Sequence, residues 1–267
     1  MPVASGIYYS VHEGAANQGL PVVLIHGAGG TQLAWPPEVR RLSGGRIFAV
    51  DLPGHGKSAV AGGQQSIAGY ARLLLSWMDA VQLPRAVFVG HSMGGAIALT
   101  MAIHHSQQTL GIGLVGSGPT LPVDPRLLEY AASPTTFFKA VEAFQASAYS
   151  PSAAPRLVEL AMQRLAETRP SVLHGDLLAS SKFDASAHLA QAVCPALIVC
   201  GQDDRLTPPR WSQFMAGALP QARLALIPQA GHMVMLEQPE VVARALIGFL
   251  REIPFNPGEV TLHVHRH

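Results

Sequence analysis

An α/β architecture is predicted for this chain of 267 residues. Its parts are a mostly parallel central sheet of about eight strands, helices on both faces and an inserted helical cap. Three observations carry the prediction. Short apolar runs of strand length recur along the chain, and they are continuously rather than alternately apolar, which suits strands covered on both faces. Helical segments fall between them, and strand alternating with helix builds a parallel sheet. The alternation stops between about Pro119 and Ala192, a stretch with no convincing strand, which reads as an inserted helical unit.

Taken in order, Ile7–Val11 reads as an added antiparallel strand, and the core strands as Val22–Ile25, Ile47–Val50, Ala86–Val89, Gly111–Val115, Ala196–Val199 and Leu224–Ile227. The helices between them are Ser66–Ala80, Met93–His105, Pro208–Ala218 and Pro239–Leu250. The last two open on proline, whose fixed φ and missing N–H suit the first helical position. Residues 1–118 and 193–252 thus form the core, 119–192 the cap and 253–267 a C-terminal tail. Within the cap, Phe137, Phe138, Val141, Phe144 and Tyr149 make one apolar face, and Leu157, Leu160, Ala161, Met162 and Leu165 a second. Ligand pockets are largely apolar and form where domains meet, so Phe137, Phe138 and Phe144 are candidate substrate contacts.

Composition excludes several classes of function. The chain is 48% hydrophobic, ample for a buried core, while a net charge of +1 with 13% charged residues offers no basic field for nucleic acid. Met1–Gly6 lacks the charged and apolar regions of a signal peptide, and no apolar run approaches the ~18 residues of a membrane span, so a soluble, cytoplasmic protein is expected. Cys194 and Cys200 bracket a strand that would hold them ~20 Å apart, too far for a disulfide, and read as small buried apolar residues. No Cys/His spacing indicates a metal site.

The chemistry centres on Gly90-His91-Ser92-Met93-Gly94, directly after the run Ala86–Val89 and before a helix. A strand turning sharply into a helix forces the serine into a strained conformation, and flanking glycines leave room where a Cβ would collide. The helix N-terminus also favours negative charge beside Ser92. A serine hydroxyl needs a base, and the base needs a carboxylate to orient it. The acid belongs next in chain order, within Gly201-Gln202-Asp203-Asp204-Arg205, and the base after it, at Ala230-Gly231-His232. Order alone leaves Asp203 and Asp204 both open. His26 and His55 sit in glycine-rich turns, and His104, His105, His174 and His188 in helices, where structural or solvated roles are the ordinary reading. The amide of Met93 is one oxyanion donor, and the amide of Ala28, in the loop His26-Gly27-Ala28-Gly29-Gly30, is the candidate for the second. Gly27, His91 and Met233 adjoin these residues and join the candidate substrate contacts. Gly54-His55-Gly56-Lys57-Ser58 looks like the end of a phosphate-binding loop, but the first glycine would fall at Asp51, so it reads as a turn. The tail His263-Val264-His265-Arg266-His267 alternates histidines and reads as a terminus rather than a metal site.

From Ile7 to Leu250 the chain resembles the α/β-hydrolase superfamily, in particular small bacterial esterase-like members with a helical cap. The resemblance rests on His26–Gly30, Asp51-Leu52-Pro53-Gly54-His55-Gly56-Lys57-Ser58, the serine motif, Gly201-x-x-Asp204-x-x-x-Pro208 and Gly231-His232-Met233. It implies the acid at Asp204 and oxyanion donors at Ala28 and Met93. Serine at position 92 argues against the branches with a carboxylate nucleophile, and Met233 stands where carbon-carbon bond hydrolases usually carry tryptophan. The expected activity is cleavage of short- to medium-chain acyl esters or lactones through an acyl-serine, with no cofactor. A cofactor-free perhydrolase or haloperoxidase-like enzyme, a carbon-carbon bond hydrolase, and a non-catalytic ligand-binding or receptor protein on the same fold are the alternatives.

Overall fold

The apolar runs become strands of one eight-stranded sheet in the computed structural model, which describes residues 2–13, 19–43, 45–59 and 62–256. In chain order they are β1 (Val3–Ala4), β2 (Ile7–Glu13), β3 (Leu20–Ile25), β4 (Gly45–Asp51), β5 (Ala86–His91), β6 (Thr109–Val115), β7 (Ala196–Gly201) and β8 (Ala222–Ile227). They lie side by side as β1-β2-β4-β3-β5-β6-β7-β8. The pairs β1–β2 and β2–β4 are antiparallel and every pair from β4 to β8 is parallel. The two-residue β1 carries no periodic signal, which is why the sequence reading begins at Ile7.

Continuous apolarity has the cause that the sequence reading assigns to it. Side chains alternate across a strand, so Val23 and Ile25 face one side with Phe48 and Phe88, while Val22 and Leu24 face the other with Ile47 and Val87. The helices are α1 (Pro37–Arg40), α2 (Ile67–Ala80), α3 (Met93–His104), α4 (Pro125–Ala131), α5 (Phe137–Ala148), α6 (Pro155–Ala166), α7 (Pro170–Ser181), α8 (Pro209–Ala218), α9 (Val234–Glu237) and α10 (Pro239–Leu250). Residues of α2, α3 and α8 build the first core, and residues of α1, α9 and α10 the second. The four-residue α1 and α9 are too short for a periodic pattern and escape the sequence reading. From Met93 to Ala102, α3 is buried on every side, which carries its N-terminus to the middle of the sheet's C-terminal edge.

Helices α4 to α7 form the cap. Proline punctuates this segment without breaking it, because Pro125, Pro155 and Pro170 stand in the first turn of their helices, where the backbone N–H has no partner to lose. Phe137, Val141, Leu165, Leu173 and Leu177 close a third cluster inside the cap. The ends of the insertion are tied together by a bridge between Thr120 and Asp184 and by the Ala185 N–H on the Pro119 carbonyl, 2.8 Å.

Among the described residues no helix is long and apolar enough to cross a membrane. Both cysteines are free. Of the segment read as a tail, Ile253 and Phe255 pack on the second core, and the alternating histidines lie outside the described residues.

Candidate active site

A single residue separates β5 from α3. Ser92 has φ 53 and ψ −116, a left-handed backbone that costs a non-glycine residue ~1–3 kcal/mol. The neighbours make the bend possible: a Cβ on Gly90 would lie 2.0 Å from the Gly94 carbonyl oxygen, and one on Gly94 would lie 2.3 Å from that of Ile25. Hydrogen bonds hold the strain in place. The Ser92 N–H donates to Val115 at 3.0 Å, and the Ser92 carbonyl accepts from Gly95 N–H at 2.9 Å and Ser117 Oγ at 2.9 Å. Met93 opens α3, at a position where the helix itself supplies no acceptor for the amide.

Beyond the ends of β7 and β8, two loops bring a carboxylate to an imidazole. Asp204 Oδ2 lies 3.0 Å from His232 Nδ1, and the two residues are 3% and 1% exposed. The same carboxylate accepts Leu206 N–H at 2.9 Å, Thr207 N–H at 2.8 Å and the Thr207 hydroxyl at 2.6 Å. Burial works against the charge on Asp204, yet His232 alongside and the Thr207 donors hold its carboxyl below the usual range. A carboxylate only accepts, so Nδ1 carries a proton toward it, and in the neutral ring the lone pair then falls on Nε2. Nε2 is buried and has no hydrogen-bond partner among the described residues. Asp203 turns the other way and accepts from the Ser150 hydroxyl of the cap at 2.6 Å.

His232 is held from three sides. Its N–H donates to the Ala148 carbonyl at the end of α5, 2.9 Å, and its carbonyl accepts from His91 Nε2 at 3.0 Å. The ring of Phe144 meets its imidazole edge-on at 6.4 Å. Burial, with His232 nearby, pushes the His91 imidazole down to about 3, so His91 is a neutral prop. Glu237 ties the loop to the cap by accepting Gly231 N–H and Ser150 N–H, each at 2.9 Å.

Two chambers meet at Ser92. One, of about 240 Å³, is lined by the loop from Gly27 to Thr31, by Met233 and by Leu157, Leu160 and Leu165 of the cap. The other, of about 350 Å³, is lined by Leu121, Leu127, Tyr130, Thr207 and His232. Ala28, Ser92 and Phe144 line both.

Of the candidate substrate contacts, Gly27, His91, Phe144 and Met233 line a chamber. Phe137 and Phe138 line neither. Phe137 shares a stripe with Phe144 but stands ~10 Å further up α5, inside the cap's own cluster, and Phe138, one residue round the helix, is 51% exposed. The sequence reading omits Thr207, although a hydroxyl three residues after an aspartate, just before a helix-opening proline, marks a loop that folds back on the carboxylate.

A model of the alpha/beta hydrolase family matches residues 22–245. The chain is 29% identical over 253 residues to a pimeloyl (acyl-carrier protein) methyl ester esterase of Vibrio vulnificus, covering 90% of this chain and 97% of that protein. It is 30% identical over 254 residues, 88% of its own length, to the dihydrolipoyllysine-residue acetyltransferase component of an acetoin cleaving system from Pseudomonas putida, of which it spans 64%. Among solved structures, a thermophilic esterase from Thermogutta terrifontis with malate bound is similar at a TM-score of 0.83 and 26% identity, over 92% of this chain and 93% of that one.

Proposed function

We propose, on the premise that the chain belongs to the alpha/beta hydrolase family, that it is a serine hydrolase of small carboxylic esters or lactones. The observation that carries the reading is a strained Ser92 lining the same chamber as a buried His232 whose Nδ1 is paired with Asp204. In this reading His232 Nε2 takes the proton of Ser92 Oγ as the oxygen attacks the ester carbonyl, and Asp204 steadies the imidazolium. The amides of Ala28 and Met93 receive the oxyanion. The intermediate collapses by expelling the alkoxide, which takes the proton from Nε2, and a water activated by the same nitrogen then frees the acid.

Proton return assigns the two chambers. The leaving oxygen must be within reach of Nε2, so the alcohol belongs in the chamber that His232 and Thr207 line, and the acyl chain in the leucine-lined chamber beside the oxyanion loop. At about 240 and 350 Å³ the chambers lie around the lower end of the ~300–1,000 Å³ of drug-sized sites, which favours a substrate divided between them.

The test is a panel of esters and lactones of graded acyl length with wild type and Ser92→Ala. Turnover should fall at least about a thousandfold in the variant. A wild type that cleaves nothing in the panel, or a variant that keeps its rate, would sink the reading.

A further inference from the structure

Ala28 is useful as an oxyanion donor only if its N–H is aimed at Ser92. Three consecutive peptide groups decide that aim, and different parts of the molecule hold them. The first joins Gly27 to Ala28. Its carbonyl accepts from Gly30 N–H at 3.1 Å and from His26 Nδ1 at 2.8 Å, and in a trans peptide the N–H of Ala28 then points the opposite way. Burial keeps His26 neutral, so that Nδ1 donates to Gly27 while Nε2 accepts Leu52 N–H at 3.0 Å.

The next two peptide groups flank Gly29 and are held by the cap. Gly29 N–H donates to Asp176 Oδ2 at 2.8 Å, and the Gly29 carbonyl accepts from Thr168 Oγ1 at 2.8 Å. Gly29 itself has φ +65, and a Cβ there would come within 2.6 Å of Leu165 Cδ1. Cap side chains therefore leave no room for a side chain here and satisfy both polar groups of this residue.

Asp176 is completely buried on α7 and is itself held by the core. Its Oδ2 also accepts from His55 Nε2 at 2.7 Å, and its Oδ1 from the Tyr70 hydroxyl. The other nitrogen of His55 faces the Pro53 carbonyl at 3.2 Å. With acceptors facing both nitrogens, the site suits a His55 that donates twice, as an imidazolium beside the buried carboxylate. Next to Thr168, Arg169 donates to the carbonyls of Gly54 at 3.1 Å and Ala59 at 2.8 Å, so the corner between α6 and α7 is fastened to the core.

We propose that Thr168 and Asp176 are positioning residues of the oxyanion loop, two cap side chains that fix the peptide groups on either side of Gly29 and thereby aim the amide of Ala28. The proposal rests on the ester-hydrolase reading. Thr168 is the better handle, because it is half-buried and valine matches its shape without the hydroxyl. Losing a whole oxyanion donor costs ~10²–10³ in kcat, so misaiming one should cost about tenfold or more. Thr168→Val is expected to lower kcat by that factor with KM nearly unchanged and Tm lowered by only a few degrees, since the buried Gly29 carbonyl loses its donor, and Thr168→Ser to return kcat to within about threefold of wild type. A second measurement needs no turnover: the Gly29 amide proton should resonate downfield in wild type and move upfield in Asp176→Asn. An active wild type whose kcat survives Thr168→Val, a loss that serine does not rescue, or an unmoved Gly29 resonance overturns the clamp alone. A wild type with no ester or lactone turnover overturns the reading on which the clamp rests.

Discussion

Neighbouring aspartates on the loop after β7 serve different partners: Asp204 meets His232 and Asp203 meets the Ser150 hydroxyl. The difference has a kinetic consequence. Asp204→Asn is expected to lose ~10³–10⁴ in kcat, because an amide no longer favours the Nδ1–H tautomer that leaves Nε2 free. Asp203→Asn keeps an acceptor for Ser150 and should stay within about tenfold of wild type; comparing the kcat values of the two variants checks this, and the reverse ranking would move the acid by one residue. Ser92 and His232 are legible in the chain because local rules mark them, a serine between glycines after a strand and a histidine after the last strand. The choice between Asp203 and Asp204 is not legible from order, since consecutive side chains on a loop diverge according to the backbone path. Phe137 and Phe138 show the same limit. Helical spacing identifies an apolar stripe without saying which turn of it reaches the site.

At the level of elements, the sheet and its main helices follow from patterns that act over a few residues, whereas the attachments between cap and core do not. Asp176 on α7 lies 121 positions from His55 and 147 from Gly29, and no local pattern links them. His55, expected in a glycine-rich turn, is there, and its partner Asp176 favours its charged form. Burial works against protonation, but Asp176 and the Pro53 and Leu52 carbonyls outweigh it and raise the His55 imidazole above its ordinary value. Around it stand the His26 ring at 4.8 Å, the Tyr70 ring at 6.4 Å and Asp176. A histidine whose pKa is raised on folding adds stability that is complete below the unfolded value of ~6.5 and disappears as pH rises through the folded value. Wild type should therefore lose stability from pH ~6.5 upwards more steeply than His55→Gln, as measured by urea unfolding between pH ~6 and ~9. Identical pH slopes would contradict an imidazolium at this position.

For the molecule as a whole, backbone groups on both sides of the site are anchored to the cap. Ala148 accepts the His232 amide, and Thr168 and Asp176 hold Gly29. Between these anchors the cap roofs two chambers that divide at Phe144. Filling one should leave the other's selectivity in place. Leu157→Trp is expected to lower kcat/KM for long acyl chains by ~10–100-fold and spare acetyl esters, while Leu127→Trp should discriminate by the size of the alcohol. Rate measurements on a matrix of acyl and alcohol lengths check this, and the opposite pairing would exchange the chambers. Fold class, strand order of appearance, the helical insertion and the serine motif are written in the chain because apolar periodicity, proline placement and glycine spacing are local properties that a short window contains. The direction of each aspartate, the charge of His55, the division of the site and the cap's grip on the loop after β3 came only with the packed molecule. Each depends on which distant groups are buried together, and burial makes an unpaired polar atom costly enough that its partner must be found wherever the fold brings one.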